Sequence, residues 1–471
     1  MPIEGWIMRT LPVLVALLML IAGGVGVVAS VGGVAESPVE DDPIVDAAVG
    51  QTNVGSEETV DRTNVGSEET VDRTNGSDEV TLERLEEVEP GGTFRVLATP
   101  PGATVTGGST LHDANLGTTM ELDVNDVDAA MKTEVVRRHV ENAETDDDRQ
   151  RRILAEMNRI ERDEERLHER QSDAVDAHAN GELSDRELLD ELIRIAAIAD
   201  EYDERLDALD DLAAETEGVT TPDRLDELQI QLEIYEGPVR EEALDAVRGE
   251  TGGSEIHVET SQDAVVLAMI DEGADQYVRE VIRDDRWDRG GGEITSDRAI
   301  NVTAESYPET TALREPDAFG AGAVHRVTVD HEFGELRTFV SGGTDQVFVE
   351  QQRIDLAEFA DFEPVNTVGD GFNVTVDRSY AGGPVVVSVA DAGDEEPVEG
   401  VTVTKSIGGG DSEAIGTTDA DGTVRTLSPA EAYRITVVDE PQVAVINGIE
   451  PTEIPRLTDD QQPEETEDEG S

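Results

Sequence analysis

Between Val124 and Glu250, apolar residues recur every third or fourth position in an otherwise polar and acidic stretch. That period gathers them on one face of a helix. A stretch this long covers such faces only by folding helices back on one another. Val127, Met131 and Val135 open the first stripe, and Ile153, Met157, Ile160 and Leu167 mark the second. Asn180-Gly181 suits a left-handed helix end. Ser184-Asp-Arg-Glu187 is a capping box opening a third helix, which carries Leu188, Leu192, Ile195, Tyr202, Leu206 and Leu209. Thr221-Pro222 sets an N-cap before a proline at the first helical position, ahead of Leu225, Leu228, Leu232 and Tyr235. Gly237-Pro238 interrupts, then Val239, Leu244 and Val247 run to a stop at Gly249. Short turns between amphipathic helices imply antiparallel neighbours. Residues 91–250 are therefore expected to form a helical hairpin or bundle with a short β lead-in, drawn from Thr93–Ala98 and Thr118–Asp123. The stripes are expected to be helix–helix core; a partner-binding coiled-coil face is the functional alternative.

The flanking segments differ in kind. In residues 1–35, Arg9 precedes an uncharged run from Leu11 to Ala35. Such a run reads as a secretory signal peptide or as an uncleaved N-terminal membrane anchor. Either one places the rest of the chain outside the cytoplasm. Residues 36–90 read as a disordered acidic linker, in which Thr52–Arg62 repeats unchanged as Thr63–Arg73. Residues 254–358 read as a small α+β module. Ile256–Thr260 alternates like a strand, Val265–Ile270 is a buried strand or helix, and Gln276–Arg283 is a short helix or strand edge. Val324–Val329, Leu336–Val340 and Gln346–Gln351 form an antiparallel meander. Residues 365–449 hold short strands at regular spacing, as in an Ig-like or prealbumin-like β-sandwich, and 450–471 read as a disordered acidic tail. The fold class expected is multidomain α+β.

Composition bounds the chemistry. Acidic residues outnumber basic ones 108 to 35, for a net charge of -73. No basic face exists to hold nucleic acid. The absence of cysteine excludes disulfides, thiolate metal sites and a cysteine nucleophile. Seven histidines are scattered without a His-Glu-x-x-His pair, and His325 and His331 read as surface polar residues beside a strand. Asp419-Ala-Asp421-Gly422 offers two carboxylates that calcium would accept, but its spacing reads as a hairpin turn. No catalytic, metal or cofactor residue is expected. Asn75, Asn301 and Asn373 stand in glycosylation sequons and are candidate acceptors in an exported chain.

Three resemblances add to this reading. Pro397–Thr404, Gly416–Val424 and Leu427–Val437 resemble the carboxypeptidase regulatory-like, prealbumin-type β-sandwich, which implies a structural or binding module. Gly237-Pro-Val-Arg240, Val258–Asp271, Tyr277-Val-Arg-Glu280, His325–Leu336 and Gly343–Phe348 resemble an uncharacterised haloarchaeal family of exported or membrane-anchored proteins. That family implies no activity. Val327–Val349 is similar to the strand–turn–strand end of small extracellular peptidase-inhibitory modules. The function expected is that of a non-enzymatic extracytoplasmic envelope protein of a halophilic archaeon, structural or adhesive, with envelope proteins or glycans as partners. The membrane would be a further partner through an uncleaved N-terminal segment. The alternatives are a membrane-anchored ligand-binding or sensory ectodomain, and a regulator of an extracellular hydrolase.

Self-repulsion at this net charge opposes compaction until salt shortens the Debye length, which falls to about 3 Å near 1 M. The melting temperature read by circular dichroism should therefore rise steadily between about 0.1 M and 1 M salt; a flat profile would contradict this reading.

Overall fold

Tyr277-Val-Arg-Glu-Val-Ile282 is apolar at both odd and even positions, so as a strand it must be covered on both faces. In the computed structural model it is. The structure describes residues 94–457, apart from 217, 219–221 and 360–361, together with Asp460. The expected signal or anchor segment, the expected linker with Asn75, the expected cap at Thr221 and most of the expected acidic tail lie outside the described residues.

Eight strands form one antiparallel sheet: β1 (Thr106–His112), β2 (Ser254–Ser261), β3 (Ala264–Asp271), β4 (Gln276–Arg283), β5 (Asp317–Ala321), β6 (Val324–His331), β7 (Gly334–Ser341) and β8 (Gln346–Asp355). Their order is β1-β2-β3-β4-β8-β7-β6-β5. Gln276–Arg283, expected as a short helix or an edge, is instead a central strand paired with β3 and β8. The expected meander is β6–β8.

Five helices cover one face: α1 (Leu116–Glu141), α2 (Asp146–Ala179), α3 (Asp185–Ala214), α4 (Pro222–Glu233) and α5 (Pro238–Arg248). The capping box forms as expected, the Ser184 N–H donating to Glu187 Oε2 at 2.9 Å and the Glu187 N–H to Ser184 Oγ at 3.3 Å. Leu188, Leu192 and Val239 share one core with Ile256, Val265 and Val278 of the sheet. A second core, built from Ile153, Met157, Ile160, Leu206, Leu209 and Leu228, joins the helices to each other. The helices are thus half a bundle and half a layer on the sheet. The opposite face is covered by α6 (Ser296–Ser306), α7 (Pro308–Leu313) and the segment around Leu97.

Three expectations are corrected here. Thr118–Asp123 is not a strand: Asn115 accepts the Gly117 N–H at 3.0 Å and starts α1 well before Val127. Val127, Met131 and Val135, expected in a helix–helix core, are exposed. Residues 450–457 are not free tail. The Val96 N–H donates to Pro455 O at 2.9 Å, and Leu457 is fully buried.

The remaining strands, β9 (Glu363–Gly369), β10 (Phe372–Arg378), β11 (Pro384–Asp391), β12 (Thr402–Ile407), β13 (Glu413–Thr417), β14 (Thr423–Leu427), β15 (Tyr433–Asp439) and β16 (Gln442–Ile449), make the expected sandwich. Its sheets run β14-β11-β10-β9 and β13-β12-β15-β16, around Val374, Val387, Val403 and Ile435.

Two adjacent residues of β4 carry opposite charges into opposite layers. Glu280 faces the helices. It accepts from Arg240 Nε at 2.7 Å and from the Val239 N–H at 3.1 Å, at the N-terminus of α5. Arg240 also donates to Ile234 O at 3.0 Å and to Gln171 at 3.3 Å, tying α2, α4 and α5 to the strand. Arg279 faces the other layer and pairs with Glu350, which also accepts from the Tyr307 hydroxyl at 2.7 Å and from the Leu97 N–H. Burial raises the Glu350 pKa, and the Arg279 charge pulls it back. Stranding one member of such a pair costs about 3–5 kcal/mol. Arg279→Met should lose stability on that scale in urea melts. Adding Glu350→Gln removes the stranded charge, keeps an acceptor for Tyr307, and should recover part of the loss.

Candidate functional site

The sandwich meets the sheet at the end of β2 and β3, and the seam encloses a cavity of about 390 Å³. Clefts at such junctions are common ligand sites. Met269, Ile270, Ile415 and Leu427 supply apolar lining, while Glu242, Glu255, Asp271, Glu272, Glu413, Lys405 and Arg425 supply charge.

Lys405 sits on β12 with its side chain buried. Its ammonium donates to Glu255 Oε1 at 2.7 Å, Thr426 Oγ1 at 2.8 Å and Leu427 O at 3.1 Å, which uses all three protons. Thr426 in turn donates to Glu255 Oε2 at 2.8 Å. Arg425 pairs with Asp275 in the β3–β4 turn, and the Tyr277 hydroxyl donates to Gly382 O at 3.0 Å. These contacts hold the sandwich against the sheet. Asp271 is engaged in its own turn, accepting from the Gly273 N–H at 2.8 Å. Glu272 and Glu413 remain exposed at the mouth. With Lys405 neutralised inside and Arg425 paired with Asp275 at the surface, the mouth is negative and suited to cationic or hydroxyl-rich groups.

A smaller cavity of about 100 Å³ lies between α5 and the β7–β8 strands, lined by Glu236, Glu241, Glu335, Arg337, Gln351 and Arg353. Burial pushes the Glu236 pKa up to about 8. Repulsion from Asp203, Asp200 and Glu233 adds to the rise, and Arg240 opposes it. Glu236 Oε1 has no hydrogen-bond partner.

The residues singled out in sequence are not brought together. Asn301 is exposed on α6, while Thr303 of its sequon is buried with its hydroxyl 2.9 Å from that of Thr338. Asn373 is half-buried in β10, between Val368 and Ala390. His325 is buried, not a surface residue, because β6 lies between β5 and β7. His331 stacks on Phe94 with ring centroids 5.6 Å apart. His178 lies 2.8 Å from Asp185 and 2.7 Å from Thr260 Oγ1. Among the described residues no group of three His, Asp or Glu is placed to hold a metal ion. Asp419 accepts from the N–H groups of Asp421 and Thr423 in a tight turn, but the turn carries the chain from β13 to β14 in the other sheet, so it is not the hairpin expected. Sequence reasoning missed Lys405, Glu255 and Glu236. One signal was present: Lys405 is one of two lysines in a chain that otherwise uses arginine.

Residues 7–252, more than half of the 471, match the family described as Domain of unknown function (DUF7096). Residues 256–360 match the Family of unknown function (DUF7094). Residues 363–446 match the archaeal fibronectin-III type-like domain, which replaces the regulatory-like sandwich expected from Pro397–Val437. No curated protein and no solved structure matches the chain.

Glu236 keeps its proton up to about pH 8 in the fold, whereas its ordinary value is 4.5. Between those values the unfolded chain binds fewer protons, so this group lowers stability as pH rises from 4.5 towards 8. Glu236→Gln should match the parent near pH 4.5 and exceed its melting temperature at pH 8 by a few °C, about 1–2 kcal/mol for a unit this size.

Proposed function

The chain belongs to the family described as Domain of unknown function (DUF7096), and we propose that it is a non-enzymatic structural or interaction protein working outside the cytoplasm, in the cell envelope of a halophilic archaeon. The observation that carries this reading is the seam. A fibronectin-III-like sandwich is clamped onto an α+β body by Lys405, Glu255, Arg425 and Asp275, leaving an open, negatively charged mouth. A rigidly mounted sandwich is a presenting device, since it holds its surface at a set angle to the body. The ionised groups deepest in the fold are engaged with one another, as with Arg279 and Glu350, and hold layers together. The uncharged run from Leu11 to Ala35 supports export, and the acidic excess supports work in concentrated salt. The partners proposed are envelope proteins or glycans, whose ammonium or hydroxyl groups suit the mouth. A second reading, a ligand-binding ectodomain held by an N-terminal anchor, is favoured by the volume of about 390 Å³ at the seam.

The test is envelope fractionation of the native host at multimolar salt, followed by pull-down with the full chain. The chain should fractionate with the envelope and recover envelope proteins or glycans. Glu272→Arg with Glu413→Arg should cut recovery at least tenfold. A cytoplasmic location, or recovery indifferent to both substitutions, would overturn the reading. Mass spectrometry of the recovered chain reads its mature N-terminus and any glycan at Asn75, Asn301 or Asn373.

A further inference from the structure

Helix α1 is apolar on two opposite sides. Thr118, Leu122, Ala129 and Val140 are buried against the other helices. On the far side Leu116, Met120, Val124, Val127, Met131 and Val135 are all 60–76 % exposed. At 3.6 residues per turn these six fall within an arc of about 100° and run for about 29 Å. Scattered apolar surface residues need no explanation, but a continuous stripe marks a contact.

We propose that a second copy of this chain docks on the stripe, with the two α1 helices antiparallel. The spacing carries the argument. The six positions are separated by 4, 4, 3, 4 and 4 residues, which reads the same in both directions. A two-fold axis midway between Asn125 and Asp126 therefore sets Leu116 against Val135, Met120 against Met131 and Val124 against Val127 of the other copy. A self-complementary patch of this kind is what an isologous dimer requires. The flanks agree. Glu121 and Lys132, which pair within the chain with Arg194 and Asp128, lie on the same side of the stripe, and the same axis brings each to within about one helical turn of the other in the partner copy. Antiparallel pairing also opposes the two helix dipoles. A lipid surface fits less well, because the acids Glu121, Asp123, Asp128 and Glu134 outnumber the cations Lys132 and Arg138 along the stripe, and membrane-surface helices carry mainly Lys and Arg there. The acidic surfaces of two such chains repel in dilute buffer, so the dimer should strengthen with salt.

The chain has no cysteine, which allows a site-specific test on the full-length protein. Leu116→Cys and Val135→Cys are made singly, then oxidised alone and as an equimolar mixture in about 1 M salt, where screening is short-ranged. The mixture should give a disulfide-linked dimer at least tenfold more abundant than either variant alone, because like positions lie about 28 Å apart in the antiparallel pair. Val127→Glu should convert the dimer to a monomer in sedimentation, with circular dichroism at about 25 °C unchanged and the parent's concentration-dependent rise in melting temperature lost. Five results would overturn the proposal. Homodimer cross-links from either variant alone would mean a parallel pair. A monomer at all salt concentrations, or a dimer indifferent to Val127→Glu, would remove the stripe from any self-association. Flotation with phosphatidylglycerol vesicles in place of cross-linking would assign it to lipid. A monomeric Leu116→Cys variant that cross-links internally to a second cysteine placed within residues 11–35 would assign it to the chain's own N-terminal run.

Discussion

The carboxylate of Glu280 is the point on which the layers meet. It is buried on the central strand and receives the guanidinium of Arg240 and the first free N–H of α5. Burying a charge is unfavourable unless its partners are fully in place. Here they come from the helical layer, so the pair forms only when the helices are docked on the sheet. The Gly237-Pro238-Val-Arg240 sequence has a physical reading in this light. A Cβ at Gly237 would lie 1.7 Å from the Glu280 carboxylate, so only glycine lets the strand's charge approach the helix end. Pro238 occupies the first helical position, where no N–H is needed. Arg279, the preceding residue, repeats the device on the other face with Glu350, Tyr307 and the Leu97 N–H.

The same use of charge extends outward. Arg283 and Arg286 hold Asp460, drawing a residue beyond the sandwich back onto the sheet at 3.2 and 2.5 Å. Arg289 and the Tyr235 hydroxyl meet on the buried Glu164 of α2. Several of the scarce cations are placed where carboxylates are buried, others pair with acids along the exposed helix faces, and many of the remaining acids are left to solvent and salt. The sandwich is joined to the body by the same means, through Lys405 and Arg425. The cleft at that seam consequently keeps acids at its mouth and cations in its wall.

Much of the local structure was legible in the chain. Caps and breaks are short-range signals, and Ser184, Gly181 and Gly249 sit where their chemistry requires. The meander and most sandwich strands follow from alternation and turn residues. Strand β4 was harder to read, since a segment apolar on both faces with two charges inside has no period to follow. The start of α1 was misplaced because Thr118 and Thr119 are poor helix formers, and the Asn115 cap outweighs them. Val127, Met131 and Val135 read as core because a stripe shows only that a face is apolar, and not what covers it.

The sequence by itself determined most element types, several helix ends, the β-sandwich and the charge excess, because propensity, capping and periodicity act over a few residues. Only the tertiary structure decided which apolar faces are covered, that the helices share a core with the sheet, and that Arg279, Glu280, Glu350 and Lys405 are buried in pairs. These outcomes depend on contacts between residues tens to hundreds of positions apart, and whether a charge is tolerated inside depends on the partner that meets it there.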